Sequence, residues 1–116
     1  MRNILIFVGV CVFVGLASAA SAQFPTQEVS VIAKRYSFYP SQIVVRKGQP
    51  LRLYLTSTDT THGISLPDFK INQQVKQGEI TTIDFTPDKT GSFPFRCSVF
   101  CGLGHLGMSG KLIVVE

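Results

Sequence analysis

"LRLYLTST", Leu51 to Thr58, decides the architecture of this chain. Leu51, Leu53 and Leu55 alternate with Arg52, Tyr54 and Thr56. Successive side chains of an extended strand point to opposite faces, so this pattern predicts a half-buried β-strand. Gly48-Gln49-Pro50 makes the turn that feeds it. Upstream, "EVSVIAKRY" from Glu28 and "QIVVRKG" from Gln42 are β-branched runs followed by turn residues. Downstream, "EITTIDFTP" alternates again, with Thr81, Ile83 and Phe85 on one face. "TPDKTG", Thr86 to Gly91, reads as a turn. "SFPFRCS" then places Phe93, Phe95 and Cys97 on one face, and "GKLIVVE" closes the chain as a last strand. No segment carries a sustained helical period. Short strands spaced by turn signals predict an antiparallel sandwich of two sheets. Asp59 to Ile71 reads as partly loop, which places His62 in a connection between strands.

The chain has 116 residues, enough for one domain. Nine Phe and three Tyr can fill a compact core, and Trp is absent. The formal charge of +4 is a mild excess, with no basic run longer than the pairs Lys34-Arg35 and Arg46-Lys47. Nucleic-acid binding calls for a denser basic stripe, so that class is set aside. "MRNILIFVGVCVFVGLASAASAQ" differs from the rest. Arg2 precedes an apolar run to about Ala20 that takes in Cys11, and Ala20-Ser21-Ala22 offers an A-x-A cleavage site. This is the pattern of a secretory leader over residues 1–22, cut after Ala22, with the folded domain over residues 23–116. The alternative is an uncleaved anchor, since the run is near the lower limit for spanning a bilayer, roughly 17 residues. Either way the domain is expected outside the cytoplasm, periplasmic or otherwise extracytoplasmic. It is expected to be a monomer that meets a membrane only if the leader is retained.

"CSVFCGLGHLGM", Cys97 to Met108, carries the chemistry. In an oxidising compartment Cys97 and Cys101 could form a disulfide, but it would close a very short loop and leave His62, His105 and Met108 unexplained. Zinc would take Cys2His2, yet the two histidines lack finger spacing and Met108 would have no part. A catalytic cysteine would need an oriented base, and no Asn or Asp lies in the loop beside His105. Copper suits the donors best, because thiolate and thioether are soft and imidazole serves both copper oxidation states. A mononuclear site would use His62, Cys101, His105 and Met108 and leave Cys97 over. Two thiolates bridging two coppers use both cysteines, with one histidine for each ion. The loops at one end of a sandwich can gather these residues despite their separation in sequence.

Cys-x3-Cys-x3-His-x2-Met, with the upstream Thr-His-Gly around His62, resembles the binuclear CuA domain of cytochrome c oxidase subunit II and nitrous-oxide reductase. "YSFYPSQIVVRKGQPLRLYLTSTDTTHG" and "FTPDKTGSFPFRCSVFCGLGHLGMSGKLIVVE" extend the likeness over nearly all of the mature chain. The resemblance implies an all-β, cupredoxin-like Greek-key sandwich with copper at one end. It implies that Cys97 and Cys101 bridge two copper ions, His62 and Met108 completing one and His105 and the carbonyl of Val99 the other. Many oxidases of the family carry Glu at the position of Val99, where it helps hold magnesium, and Val99 offers no such side chain. The implied function is one-electron transfer with a redox partner, such as a c-type cytochrome or a terminal oxidase or reductase. On its own such a domain is not an enzyme. Two other readings use the same residues: subunit II of a small membrane oxidase, and a periplasmic copper carrier or assembly factor. Leu103, Leu106 and the glycines beside His105 form either an apolar docking patch or a cap on the core.

Overall fold

A computed structural model describes residues 24–116, so the expected leader lies outside the described residues. Nine strands follow one another: β1 (Gln27–Lys34), β2 (Ser37–Tyr39), β3 (Gln42–Arg46), β4 (Leu51–Ser57), β5 (His62–Leu66), β6 (Ile71–Val75), β7 (Thr81–Phe85), β8 (Gly91–Arg96) and β9 (Ser109–Val115). Single 3-10 turns at Pro67–Phe69 and His105–Gly107 are the helical elements of the described residues. None of these residues lies in a helix long and apolar enough to cross a membrane.

The strands form two sheets, ordered β2-β1-β4-β7 and β3-β9-β8-β5-β6. Chain neighbours pair only at β1–β2, β5–β6 and β8–β9, and every other connection passes from one sheet to the other. That crossing pattern makes the sandwich a Greek key. The sheets are mixed rather than antiparallel throughout, because β1 runs parallel to β4 and β3 runs parallel to β9. The cause is the crossing itself. After β2 the chain leaves the first sheet, runs along β3 in the second, and returns beside β1 in the original direction.

The Leu strand keeps its period: Leu51, Leu53 and Leu55 are buried and Arg52, Tyr54 and Thr56 are half-buried. With Val31, Ala33 and Ile83 they form the inner face of the first sheet, against Ile43, Val45, Ile64, Leu66, Val75, Phe95, Leu112 and Val114 of the second. The ring of Phe38 stands edge-on to Phe95, 5.2 Å between centroids. Such aromatic pairs stabilise beyond the area they bury. The same parity that buries Phe95 buries Cys97, one residue past the end of β8.

His62 departs from expectation. It is the first residue of β5, paired with Val75 of β6, and not part of a connection. Its side chain, Ile64 and Leu66 alternate into the core, and Gly63 between them is buried as well.

Candidate metal centre

Three segments converge at one end of the sandwich: the start of β5, the end of β8, and the loop that leads into β9. The loop is closed at its base, where Cys97 N–H donates to the carbonyl of Met108 at 3.0 Å. Inside it, the N–H groups of His105, Gly107 and Met108 donate to the carbonyls of Gly102, Gly104 and His105, which builds the short 3-10 turn. Ser98 N–H donates to the carbonyl of Gly63 at 3.4 Å, laying the loop against β5. Gly63 permits that approach. A Cβ there would overlap the Ser98 side chain and lie 2.9 Å from a Val99 methyl.

Within this frame the six candidate donors named from the sequence meet. The Cys97 and Cys101 sulfurs are 3.7 Å apart, and both thiols are free. A disulfide bond is about 2.05 Å, so this is a dithiol. His62 Nδ1 lies 3.8 Å from Cys97 Sγ, and the Val99 carbonyl oxygen 3.2 Å from the same sulfur. His105 Nδ1 lies 3.6 Å from Cys101 Sγ, and Met108 Sδ 3.8 Å from it. The donor atoms of His62, Cys97 and Cys101 all fall within 4.8 Å of one another. His62 and Met108 are fully buried, the cysteines nearly so, and His105 is half-buried. Val99 is half-buried and reaches the cluster through its carbonyl.

Asp59 lies outside the six. Its Oδ1 accepts a hydrogen bond from His62 Nε2–H at 2.7 Å. A carboxylate can only accept, so the proton is held on Nε2 and the Nδ1 lone pair faces the sulfur. Burial would push the Asp59 carboxyl up, but hydrogen bonds from the Arg35 N–H, His62 and the Thr60 N–H outweigh it and hold the group at about 2. Cys101 goes the other way: burial, then the hydrogen bond and charge of Cys97, push its thiol up to about 11. The two buried thiols and the thioether are soft donors and the two imidazole nitrogens suit copper as well, so the donor set fits copper.

Asp59, Gly63 and Phe100 carry no signal in the sequence strong enough to single them out. The Phe100 ring leans on His105, 5.7 Å between centroids. Phe100 is 75% exposed, Leu103 99% and Leu106 87%. The two leucines therefore do not cap the core; they project from the loop into solvent.

The cupredoxin-like domain model matches residues 4–114. Cytochrome c oxidase subunit 2 of Thermus thermophilus is 34% identical over 88 residues, covering 76% of this chain and 65% of that protein. A second cytochrome c oxidase subunit 2 from the same species is 34% identical as well, with 52% of its length covered. The chain thus spans about half to two thirds of these relatives. In three dimensions it resembles the periplasmic domain of cytochrome oxidase subunit II of Bradyrhizobium japonicum, with a TM-score of 0.72 at 23% identity over 78% of this chain and 84% of that one. Sandwich topology and family match agree, and the chain belongs to the cupredoxin-like domain family.

Proposed function

We propose that this chain is an exported electron-transfer domain in which Cys97 and Cys101 bridge two copper ions. One observation carries the reading. Each candidate ligand pair draws one member from beside each sulfur. His62 lies beside Cys97 and Met108 beside Cys101; Val99 lies beside Cys97 and His105 beside Cys101. This placement supports two centres that share both sulfurs, whereas a mononuclear site would leave one cysteine with no part.

Copper held here would take up and release single electrons. The chain's own residues do the rest. The two sheets bury both cysteines, His62 and Met108 and keep water from them. A rigid frame keeps the donors in place when the charge changes, and little rearrangement favours fast transfer. Asp59 holds the His62 proton on Nε2 and leaves Nδ1 free to bind. The thiols must lose their protons on loading. His105 is the candidate side-chain donor closest to solvent; the Phe100 ring leans on it, and Leu103 and Leu106 are exposed in the same loop. A redox partner such as a c-type cytochrome would dock there. Residues 1–22 would serve as the cleaved leader and residues 23–116 as the exported domain.

Likeness to cytochrome c oxidase subunit 2 favours a second reading, in which this domain is one part of a small membrane oxidase. Co-purification with a haem-bearing membrane subunit separates the two. The test of the copper centre is copper quantitation combined with electron paramagnetic resonance. The expected result is two copper ions per chain, with hyperfine structure from one electron shared by both nuclei. One copper per chain with single-nucleus hyperfine structure would sink the binuclear reading.

A further inference from the structure

Two candidate donors, His62 and Cys101, sit on separate segments, so something must fix the distance between those segments. The corner between β1 and β2 touches both. The main-chain N–H of Arg35 donates to Asp59 Oδ2 at 2.8 Å, and the other oxygen of Asp59 holds His62. The side-chain Nε–H of Arg35 donates to the carbonyl of Cys101 at 2.8 Å, across 66 residues of sequence. The ring of Tyr36 lies over the next turn of the loop, so close that a Cβ on Gly102 or Gly104 would overlap it.

The side-chain bond of Arg35 stands alone in one respect. The loop is tied to β5 through Ser98 and closed on itself between Cys97 and Met108. Between Val99 and Gly107, the other main-chain hydrogen bonds stay within the loop. Among the described residues, Arg35 supplies the one hydrogen bond that reaches this stretch from another part of the fold.

We propose that Arg35 is a positioning residue that sets the spacing of the two halves of the metal centre. Its main chain secures the His62 half through Asp59, and its guanidinium secures the Cys101 half. The inference rests on the copper reading for its purpose, but the brace itself can be tested without metal.

Two substitutions separate the parts. Arg35→Met removes the donor and the charge, yet keeps the main-chain N–H that holds Asp59. Arg35→Gln places an amide N–H at the same reach along the side chain, without the charge. Amide hydrogen exchange is measured by nuclear magnetic resonance on the metal-free protein. In Arg35→Met, exchange should quicken on the order of tenfold at His105, Gly107 and Met108, in keeping with the loss of one hydrogen bond. Strand β4 should not change, and Arg35→Gln should restore the slow exchange. In the copper-loaded protein, Arg35→Met should keep the copper content of the wild type and alter the hyperfine structure, and Arg35→Gln should return it towards wild type. Unchanged loop exchange in Arg35→Met overturns the proposal. So does a rise spread equally over β4, or an Arg35→Gln protein that behaves like Arg35→Met. If the exchange results hold while the wild type binds a single copper, the brace stands and the binuclear reading falls.

Discussion

At the scale of single residues, each candidate donor has a different predicted loss. Cys97 and Cys101 lie at the centre of the cluster, each with two other donors beside it. On the binuclear reading, Cys97→Ser would remove one bridge and should leave at most one copper per chain, with the spectrum of a mononuclear thiolate site. A mutant that keeps two coppers and the wild-type spectrum would remove Cys97 from the ligand set. Met108→Leu is milder, because a thioether is a weak, long ligand and Leu fills a similar buried volume. Copper content should hold and the reduction potential should shift; complete loss of copper would contradict that role. Protons give a further prediction. With its thiol pushed up to about 11, Cys101 holds its proton at neutral pH and must release it to become a thiolate donor. Apparent copper affinity should therefore rise with pH, up to about tenfold per unit for each proton released. Competition titrations at about pH 6 and about pH 8 read this directly, and a flat profile would exclude Cys101 as a protonated thiol that binds metal.

At the scale of elements, close approach of the loop to β5 is the feature most open to test. Gly63→Ala puts a methyl group into Ser98 and Val99, so the loop must move off the strand. Overpacking of this kind costs about 1–3 kcal/mol. The strain falls on the loop, so copper binding should weaken while the metal-free sandwich still folds. Gly107→Ala is the control, since nothing lies within 4 Å of a Cβ there, and it should bind copper normally. Comparing copper affinity with thermal melting of the two metal-free proteins decides the matter; equal affinity would mean that the approach is loose. Strand period is what made most of the fold legible. β4, β7 and β8 keep the parity of Leu53, Ile83 and Phe95 seen in the sequence. β6 was not legible, because "INQQV" has a polar middle that faces solvent, with only Val75 buried. β5 was hidden by the His-Gly pair at its start, which resembles a turn. The parallel pairings could not be read either, since alternation reports which face is buried and not which strand lies alongside. Cys97, Cys101, His105 and Met108 stand out as candidate donors because these residue types are rare and lie at short spacings in one loop, whereas His62, on β5, stands out only through its Thr-His-Gly context. Arg35, Asp59 and Tyr36 act through hydrogen bonds and packing between segments distant in sequence, and such pairings leave no local pattern.

At the scale of the whole molecule, the exposed apolar surface beside His105 is the part of the fold that points to a partner. Leu103 and Leu106 are the two most exposed large apolar side chains among the described residues, ahead of Phe100, Tyr39 and Ile80. Apolar side chains clustered at an exposed site mark interaction surfaces more often than chance exposure does. Here they belong to the same loop as the candidate donor nearest the surface, so a protein docked on them would come close to the centre. The rest of the surface carries a mild positive excess, which can steer an acidic partner without fixing its orientation. Leu103→Glu tests the patch without touching a donor, because that side chain is almost wholly in solvent. Copper content, hyperfine structure and melting temperature should match the wild type. Electron exchange with a c-type cytochrome, followed by stopped flow, should slow by roughly tenfold, the effect of losing one well-placed interface contact. The slowing should persist at high salt, where charge steering is screened and apolar contact remains. If the rate is unchanged at low and high salt, the partner docks elsewhere, and the loop leucines are no part of the route by which electrons reach or leave the centre.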